Sequence, residues 1–356
     1  MTCGILFQAT RAVPVDLAVY RAGAEFARAG IDLYAGPVAT GLLFTYPPFS
    51  AILFLPLTVL GLDVAQVAVV ALNGGLLCFI ARRSAARWWP VVVVAALCTE
   101  AVHTSVNLGQ VNLALVALVL AAPRVGVGVA AGVKLTPLIF VVGMVVRREF
   151  TAAAVAVGVA AGTVGVGFLL LPQDSVDYWL GGLFADSGRV YAEPGSSHNQ
   201  SLRGLLLRLG VESPVVWLAI AAAVAAGAFV LAAKADRVLA VAIVGMTGAA
   251  VSPWSWGHHW VWVVPLIAVV GRELAAKRWM WLLPVPFLLG TLPPVLATAN
   301  PLGAGAVPVL TSGPLWLLVS NTYLLLFLAT LLSIALSRRQ ASRGKSCLRS
   351  SRSELP

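Results

Sequence analysis

The feature that most limits what this chain can become is a succession of apolar stretches, each about as long as a bilayer is thick. The hydrocarbon core admits backbone only where its hydrogen bonds are closed internally, so roughly 18 or more apolar residues in a row mark a spanning helix. Residues 64–81, 151–171, 214–234, 279–297 and 314–336 meet that length, and shorter stretches at 89–104, 111–122, 238–252 and 259–271 end in polar residues. The pattern predicts an all-α polytopic membrane protein with about nine crossings. Hydrophobic residues make up 60% of the chain and charged residues 11%, and no loop is long enough to enclose a soluble catalytic core.

The net charge of +10 is spread in a way that orders the loops rather than one that suits nucleic acid. Arg82, Arg83 and Arg87; Arg124; Arg147 and Arg148; Lys234 and Arg237; and Arg272, Lys277 and Arg278 all fall between apolar stretches, and six more basic residues follow from Arg338 to Arg352. Basic loops stay on the cytoplasmic side. The alternation closes only if the segment between Arg124 and Arg147 returns to the side it left, and Pro137 near its middle disfavours one straight helix. Two half-helices of about ten residues, each rising about 15 Å, make a re-entrant hairpin whose tip, Lys134 to Thr136, reaches mid-membrane.

Polar segments then collect on the other face, at 10–47, 103–110, 172–213 and 252–259, and all four histidines (His103, His198, His258, His259) lie in or beside them. The expectation is a multi-pass plasma-membrane protein with its site outside the cytoplasm and its carboxyl-terminal tail inside. Residues 1–337 form the membrane-embedded domain, and the basic tail 338–356 has too few apolar residues to fold, which predicts disorder and contact with anionic membrane lipids. An external first loop needs a helix before it, and MTCGILFQATRAVP is too poor in apolar residues. Either a further spanning helix lies upstream, the favoured expectation, which gives ten crossings, or the amino terminus is translocated unaided. Residues 49–61 are too short to span and are expected to re-enter or lie against the bundle.

Cys3, Cys78, Cys98 and Cys347 have no paired spacing, and Asp174, Asp177, Asp186 and Glu193 form neither a DxD nor an EF-hand pattern, so no metal and no cofactor is expected. Asp16 opens an amphipathic stretch that runs to Arg28. It suits a helix cap and equally a general base at the water interface, with Glu25 and Asp32 as rivals. In SPWSWGHHWVW, His258 and His259 are expected to line an outward-facing cavity, while the tryptophans suit interface anchors. Lys134 either serves an anionic group at depth, or snorkels or pairs with a carboxylate such as Glu100. His198, Asn199 and Gln200 suit either ligand hydrogen bonding or capping of the next helix, and Asn107, Gln110 and Asn112 are similarly ambiguous.

The ordered set VDLAVYRAGAEF, IDLYAG, FTYPPFSAILFLPL, NLGQVNLALVALVL, GVKLTPLIF, SHNQSLRGLLLR and SPWSWGHHWVW, from about Val15 to Pro265, resembles glycosyltransferase family 87. These are actinobacterial mannosyltransferases with the GT-C type of fold that use polyprenol phosphate mannose. The resemblance implies inverting transfer of mannose from a β-linked polyprenyl phosphate donor to a glycolipid or lipoglycan acceptor of the phosphatidylinositol mannoside or lipomannan type. The product is an α-mannoside, 1,2-linked in the family's commonest association.

It places the base at Asp16, with His258 and His259 beside it in catalysis. The departing phosphate needs nearby cations or N–H donors, here Lys134, Arg203 and His258. Sugar and acceptor contacts fall to Tyr20, Tyr46, Gln110, Asn112, His198, Asn199, Gln200 and Trp256. Two alternatives share these features. Another lipid-linked sugar such as arabinofuranose suits the same fold. A transporter also uses broken helices, but this chain has no internal repeat and its distinctive residues lie on one side.

Overall fold

The computed structural model describes residues 14–191, 193–298 and 309–353. Residues 1–13, on which the expected upstream helix rests, lie outside them.

Helix α1, Val15–Ala29, is amphipathic. Asp16 in its first turn and Arg28 in its last complement the helix dipole, and Gly30 ends it in the left-handed conformation at φ 67°. A two-stranded hairpin follows, β1 (Pro37–Ala39) and β2 (Leu42–Leu43), turned by Thr40 and Gly41, both at positive φ. The expected short segment becomes α2 (Pro48–Leu53) and a 3-10 turn at Leu55–Val59. It packs against the bundle, with Pro48 beside Gly167.

Four helices are long and apolar enough to cross a bilayer unaided among the described residues: α3 (Leu62–Ser84), α9 (Phe150–Leu170), α12 (Pro214–Ala233) and the stretch Thr322–Gln340 of α18. α18 itself runs Thr322–Ser353, and a short helix, α10 (Pro172–Ser175), follows α9. The charges of α3 follow its dipole, Asp63 first and Arg82 and Arg83 last. Ser213 caps α12, and Asp236 caps α13 (Arg237–Val251) by accepting from Val238 and Leu239 amides.

Of the nine crossings the sequence predicts, five full-length and four shorter, several are broken, for local reasons. The stretch 89–104 is two helices, α4 (Trp89–Leu97) and α5 (Glu100–Asn107), bent by 75°. The Thr99 hydroxyl donates to the Ala96 carbonyl at 2.6 Å, and the Glu100 amide donates to Thr291 at 2.8 Å, so the helix ends and restarts with its end groups satisfied. Prolines at 284, 286 and 293 divide 279–297 into a 3-10 turn (Trp279–Leu282), α15 (Val285–Gly290) and α16 (Pro293–Leu296). The stretch 314–336 breaks between α17 (Gly313–Val319) and α18, where the Ser320 and Asn321 side chains donate to the Trp316 and Leu317 carbonyls, each at 2.7 Å. The backbone of the tail, expected to be disordered, continues α18 as helix to Ser353, because a formed helix extends cheaply through residues such as Arg, Leu and Lys.

The hairpin is present. α6 (Asn112–Ala121) leads to α7 (Pro123–Val133), the chain breaks at Lys134 in extended conformation, and α8 (Ile139–Val146) returns. No Cβ fits at Gly128, against Ala156 and Val159, or at Gly132, against Thr163, so α7 and α9 lie side by side and run the same way. Both ends of the hairpin share one pole of the bundle. Arg83 and Arg237 donate to the Leu120 carbonyl (3.3 and 3.5 Å), Arg147 to Ala232 (3.0 Å) and Ala235 (3.2 Å), and Arg338 to Leu231 (2.7 Å). This basic pole is built from the loops whose charges order the chain. From Pro123 to Lys134, 11 residues of helix rise about 16 Å, roughly half the hydrocarbon thickness.

The main core lies among the spanning helices and includes Trp260, Tyr323 and Phe327. A smaller core of Tyr20, Tyr34, Phe44, Tyr46, Phe54 and Tyr178 lies under α1 and holds that helix over the end opposite the basic pole.

Candidate active site

At that opposite end a cavity of about 570 Å³ opens between α1, the hairpin tip, α5, the loop before α11 (Leu202–Arg208) and the GHHW turn that precedes α14 (Val263–Ala275). Its wall carries Asp16, Tyr46, Gln110, Lys134, His198, Gln200, Trp256, His258 and His259, nine residues that the sequence singles out. They come from six separate parts of the chain.

Asp16 is half-buried on α1. The Leu17 amide donates to the Leu108 carbonyl at 3.1 Å, and Tyr20 reaches beneath to donate to Gln110 Oε1 at 2.8 Å, so α1 is tied to the turn after α5 at two points. Gly109 makes that approach possible, since it stands at φ 72° and a Cβ there would crowd Leu17 at 2.7 Å. Burial pushes the Asp16 carboxyl above its ordinary value of 3.8, while the Gln110 amide and the Lys134 charge oppose the shift. With Gln110 Oε1 occupied by Tyr20, its Nε2 donates to His258 Nε2 at 3.3 Å, which makes that ring nitrogen an acceptor. Burial first, then the Lys134 charge, push the imidazole down to about 3, so it stays neutral.

Lys134 Nζ donates to Asn112 Oδ1 at 3.3 Å, and Asn112 Nδ2 donates to the His258 carbonyl at 2.8 Å. The broken hairpin and the GHHW turn are thereby joined through one amide. The ammonium lies 5.8 Å from the Tyr46 ring centroid. Tyr46 in turn lies 3.0 Å from the Tyr20 hydroxyl, and Tyr34 donates to its carbonyl at 2.7 Å. Opposite stand Tyr191, Trp254 and Trp256 with centroids 5.0–5.5 Å apart, and Trp256 stacks on His258 at 12°.

The remaining candidates lie elsewhere. Tyr20 and Asn112 stand behind the wall as supports. Asn199 is fully buried and bonds Pro194, Pro253, Ser201 and Ser255 backbone, which is a structural use of its amide. Arg203 is not on the cavity wall; it donates to the Ser187 hydroxyl at 3.4 Å and lies 5.4 Å from the Trp217 ring centroid. Arg189 does line the cavity and donates to the Tyr34 carbonyl at 3.0 Å. Of the rival carboxylates, Glu25 pairs with Arg21 at 3.2 Å and Asp32 accepts the Tyr34 amide at 2.7 Å.

Glu100, Thr104, Trp254, Tyr191 and Tyr323 also line the cavity and were not among the expected site residues. Glu100 lies inside an apolar stretch and Tyr323 inside another, where the only signal is a polar group at membrane depth. Among the described residues no three His, Cys, Asp or Glu side chains stand together as a metal site.

Residues 44–253 match glycosyltransferase family 87. A Mycobacterium tuberculosis polyprenol-phosphate-mannose-dependent alpha-(1-2)-phosphatidylinositol pentamannoside mannosyltransferase is 36% identical over 325 residues, covering 79% of this chain and 74% of that protein. The polyprenol-phosphate-mannose-dependent alpha-(1-2)-phosphatidylinositol mannoside mannosyltransferase of the same species is 32% identical, covering 72% of this chain and 70% of that protein. A distant likeness, at 13% identity and a TM-score of 0.43, links 97% of this chain and 77% of the other to the crystal structure of ArnT from Cupriavidus metallidurans bound to undecaprenyl phosphate. With more than half its length matched, and relatives above 30% identity across more than two thirds of it, this membrane-embedded chain belongs to glycosyltransferase family 87.

Proposed function

We propose that this protein is an inverting mannosyltransferase. It moves mannose from polyprenyl phosphate mannose to a mannosylated phosphatidylinositol or related lipoglycan, forming an α-1,2 bond. The observation that carries this reading is one cavity, opposite the basic pole, that faces a half-buried carboxylate toward an ammonium on the tip of a broken helix. In this reading Asp16 takes the proton from an acceptor hydroxyl as its oxygen attacks the anomeric carbon. The bond from that carbon to the donor phosphate breaks, its electron pair leaves with the polyprenyl phosphate, and inversion turns a β donor into an α product. Lys134 and Arg189 offset the growing phosphate charge. The neutral His258 ring, already accepting from Gln110, holds that amide toward Asp16.

The basic pole faces the cytoplasm by the positive-inside rule, which puts the cavity on the outer face and the tail from residue 338 inside. The prenyl chain reaches the site from the bilayer past Leu42, Leu43 and Leu135. The test is incorporation of radiolabelled mannose from polyprenyl phosphate mannose into phosphatidylinositol mannosides by membranes carrying the wild-type chain or Asp16→Asn. Label entering glycolipid with the wild type and not the variant is expected. No label from correctly inserted wild-type chain would overturn the reading.

A further inference from the structure

Inversion uses one base, yet two carboxylates line the cavity, Asp16 and Glu100. Glu100 opens α5, is only 6% exposed, and belongs to none of the ion pairs among the described residues. The Tyr323 hydroxyl donates to its Oε2 at 2.8 Å, and the Thr104 hydroxyl also bonds its side chain. A carboxylate offers about four acceptor positions, so capacity remains on the cavity side. The carboxylate is seated so tightly on Gly257 that a Cβ there would collide with it. Its position relative to His258, the next residue, is therefore fixed.

The path between the two carboxylates runs along α5. Glu100, Thr104 and Leu108 recur every four residues and all line the cavity. The eight residues from Glu100 to Leu108 rise about 12 Å. At the far end Leu108 accepts the Leu17 amide, next to Asp16. That span is longer than one hexose ring. Along the backbone, the cavity wall between the Leu108 end and Glu100 thus has the length for a second sugar.

We infer that Glu100 and Thr104 form a second acceptor subsite, binding hydroxyls of the sugar that precedes the one being extended. This rests on the mannosyltransferase reading and assigns residues to the part of the acceptor that lies behind the reacting sugar.

The experiment measures KM and kcat with polyprenyl phosphate mannose and two octyl glycosides, a monomannoside and a dimannoside, for the wild type, Glu100→Gln and Tyr323→Phe. The wild type is expected to favour the dimannoside. Glu100→Gln should raise the dimannoside KM roughly tenfold or more, the scale of a lost charged hydrogen bond, and leave the monomannoside and donor KM unchanged. Tyr323→Phe breaks the same contact but keeps the carboxylate, so it should retain the dimannoside preference. Equal wild-type KM for both acceptors, an equal shift of both in Glu100→Gln, or loss of the preference in Tyr323→Phe would overturn the subsite and leave Glu100 as a clamp between helices. A wild type that moves no mannose to either glycoside or to phosphatidylinositol mannoside removes the transferase reading itself, and the subsite with it.

Discussion

Asp16 sits between three influences, and their balance sets a pH response. Burial raises its carboxyl above 3.8 against the pull of Gln110 and Lys134, and a base works only when ionised. The rate should therefore climb with pH through a limb lying above the ordinary carboxylate value and then level. His258 adds no limb near neutrality, being held down to about 3. Stability should move the other way. Because the folded state holds this proton more tightly than the unfolded one, the contribution of Asp16 is present below 3.8 and is lost as pH rises through the raised value. A kcat/KM profile against pH, compared with unfolding at the same pH values, checks both signs. Asp16→Asn should lower kcat by about 10²-fold or more and flatten the acid limb.

The position of Asp16 on the cavity wall is legible in the sequence because it begins a polar segment beside an amphipathic pattern. The position of Arg189 is not, since both it and Arg203 lie in one long polar segment, 172–213. Which arginine lines the cavity follows from partners far apart in the chain, Tyr34 for Arg189 and Ser187 and Trp217 for Arg203, and no spacing reveals them.

At the scale of elements, the hairpin was readable from Pro137 together with the charge alternation, but the bend between α4 and α5 was not. No proline or glycine lies at Cys98 and Thr99, and the break is sustained by Thr291, almost two hundred residues away. The same bend turns Glu100 toward the cavity, which is why a carboxylate inside an apolar stretch escaped notice as part of the site. The hairpin has its own test. Gly128→Leu would force α7 away from α9, where a Cβ already finds no room. Overpacking of this kind costs about 1–3 kcal/mol. The expected result is a lower thermal midpoint in detergent together with a drop in kcat as the tip moves. Lys134→Met, by contrast, should leave the midpoint nearly unchanged and lower kcat by about 10²-fold, as expected when a phosphate loses its cation.

For the whole molecule the testable quantity is sidedness. In a background lacking the four native cysteines, a cysteine at Ser187 should react with a membrane-impermeant maleimide in intact cells, and one at Arg124 only after permeabilisation. The reverse pattern would invert the topology. How evenly the crossings are built was not legible. A helix such as α6 starts at the cavity floor, where Asn112 holds Lys134, and needs to reach only the basic pole, so the ten residues of a stretch counted as a crossing suffice.

The arginines of that pole carry a double duty. During biosynthesis any positive charge orients a loop, and lysine serves as well as arginine. In the finished protein Arg147 sets Nη1 against the carbonyls of Ala232, Ala233 and Ala235 while its Nε donates to Glu149, fastening the open end of one helix to the foot of another with two nitrogens where lysine has one. Address and fastener should thus be separable: Arg147→Lys ought to insert with unchanged orientation yet melt several degrees earlier, whereas Arg147→Glu should disturb both. Replacing Arg147 by lysine is thus expected to spare this chain's way into the membrane and to loosen the end that anchors its hairpin.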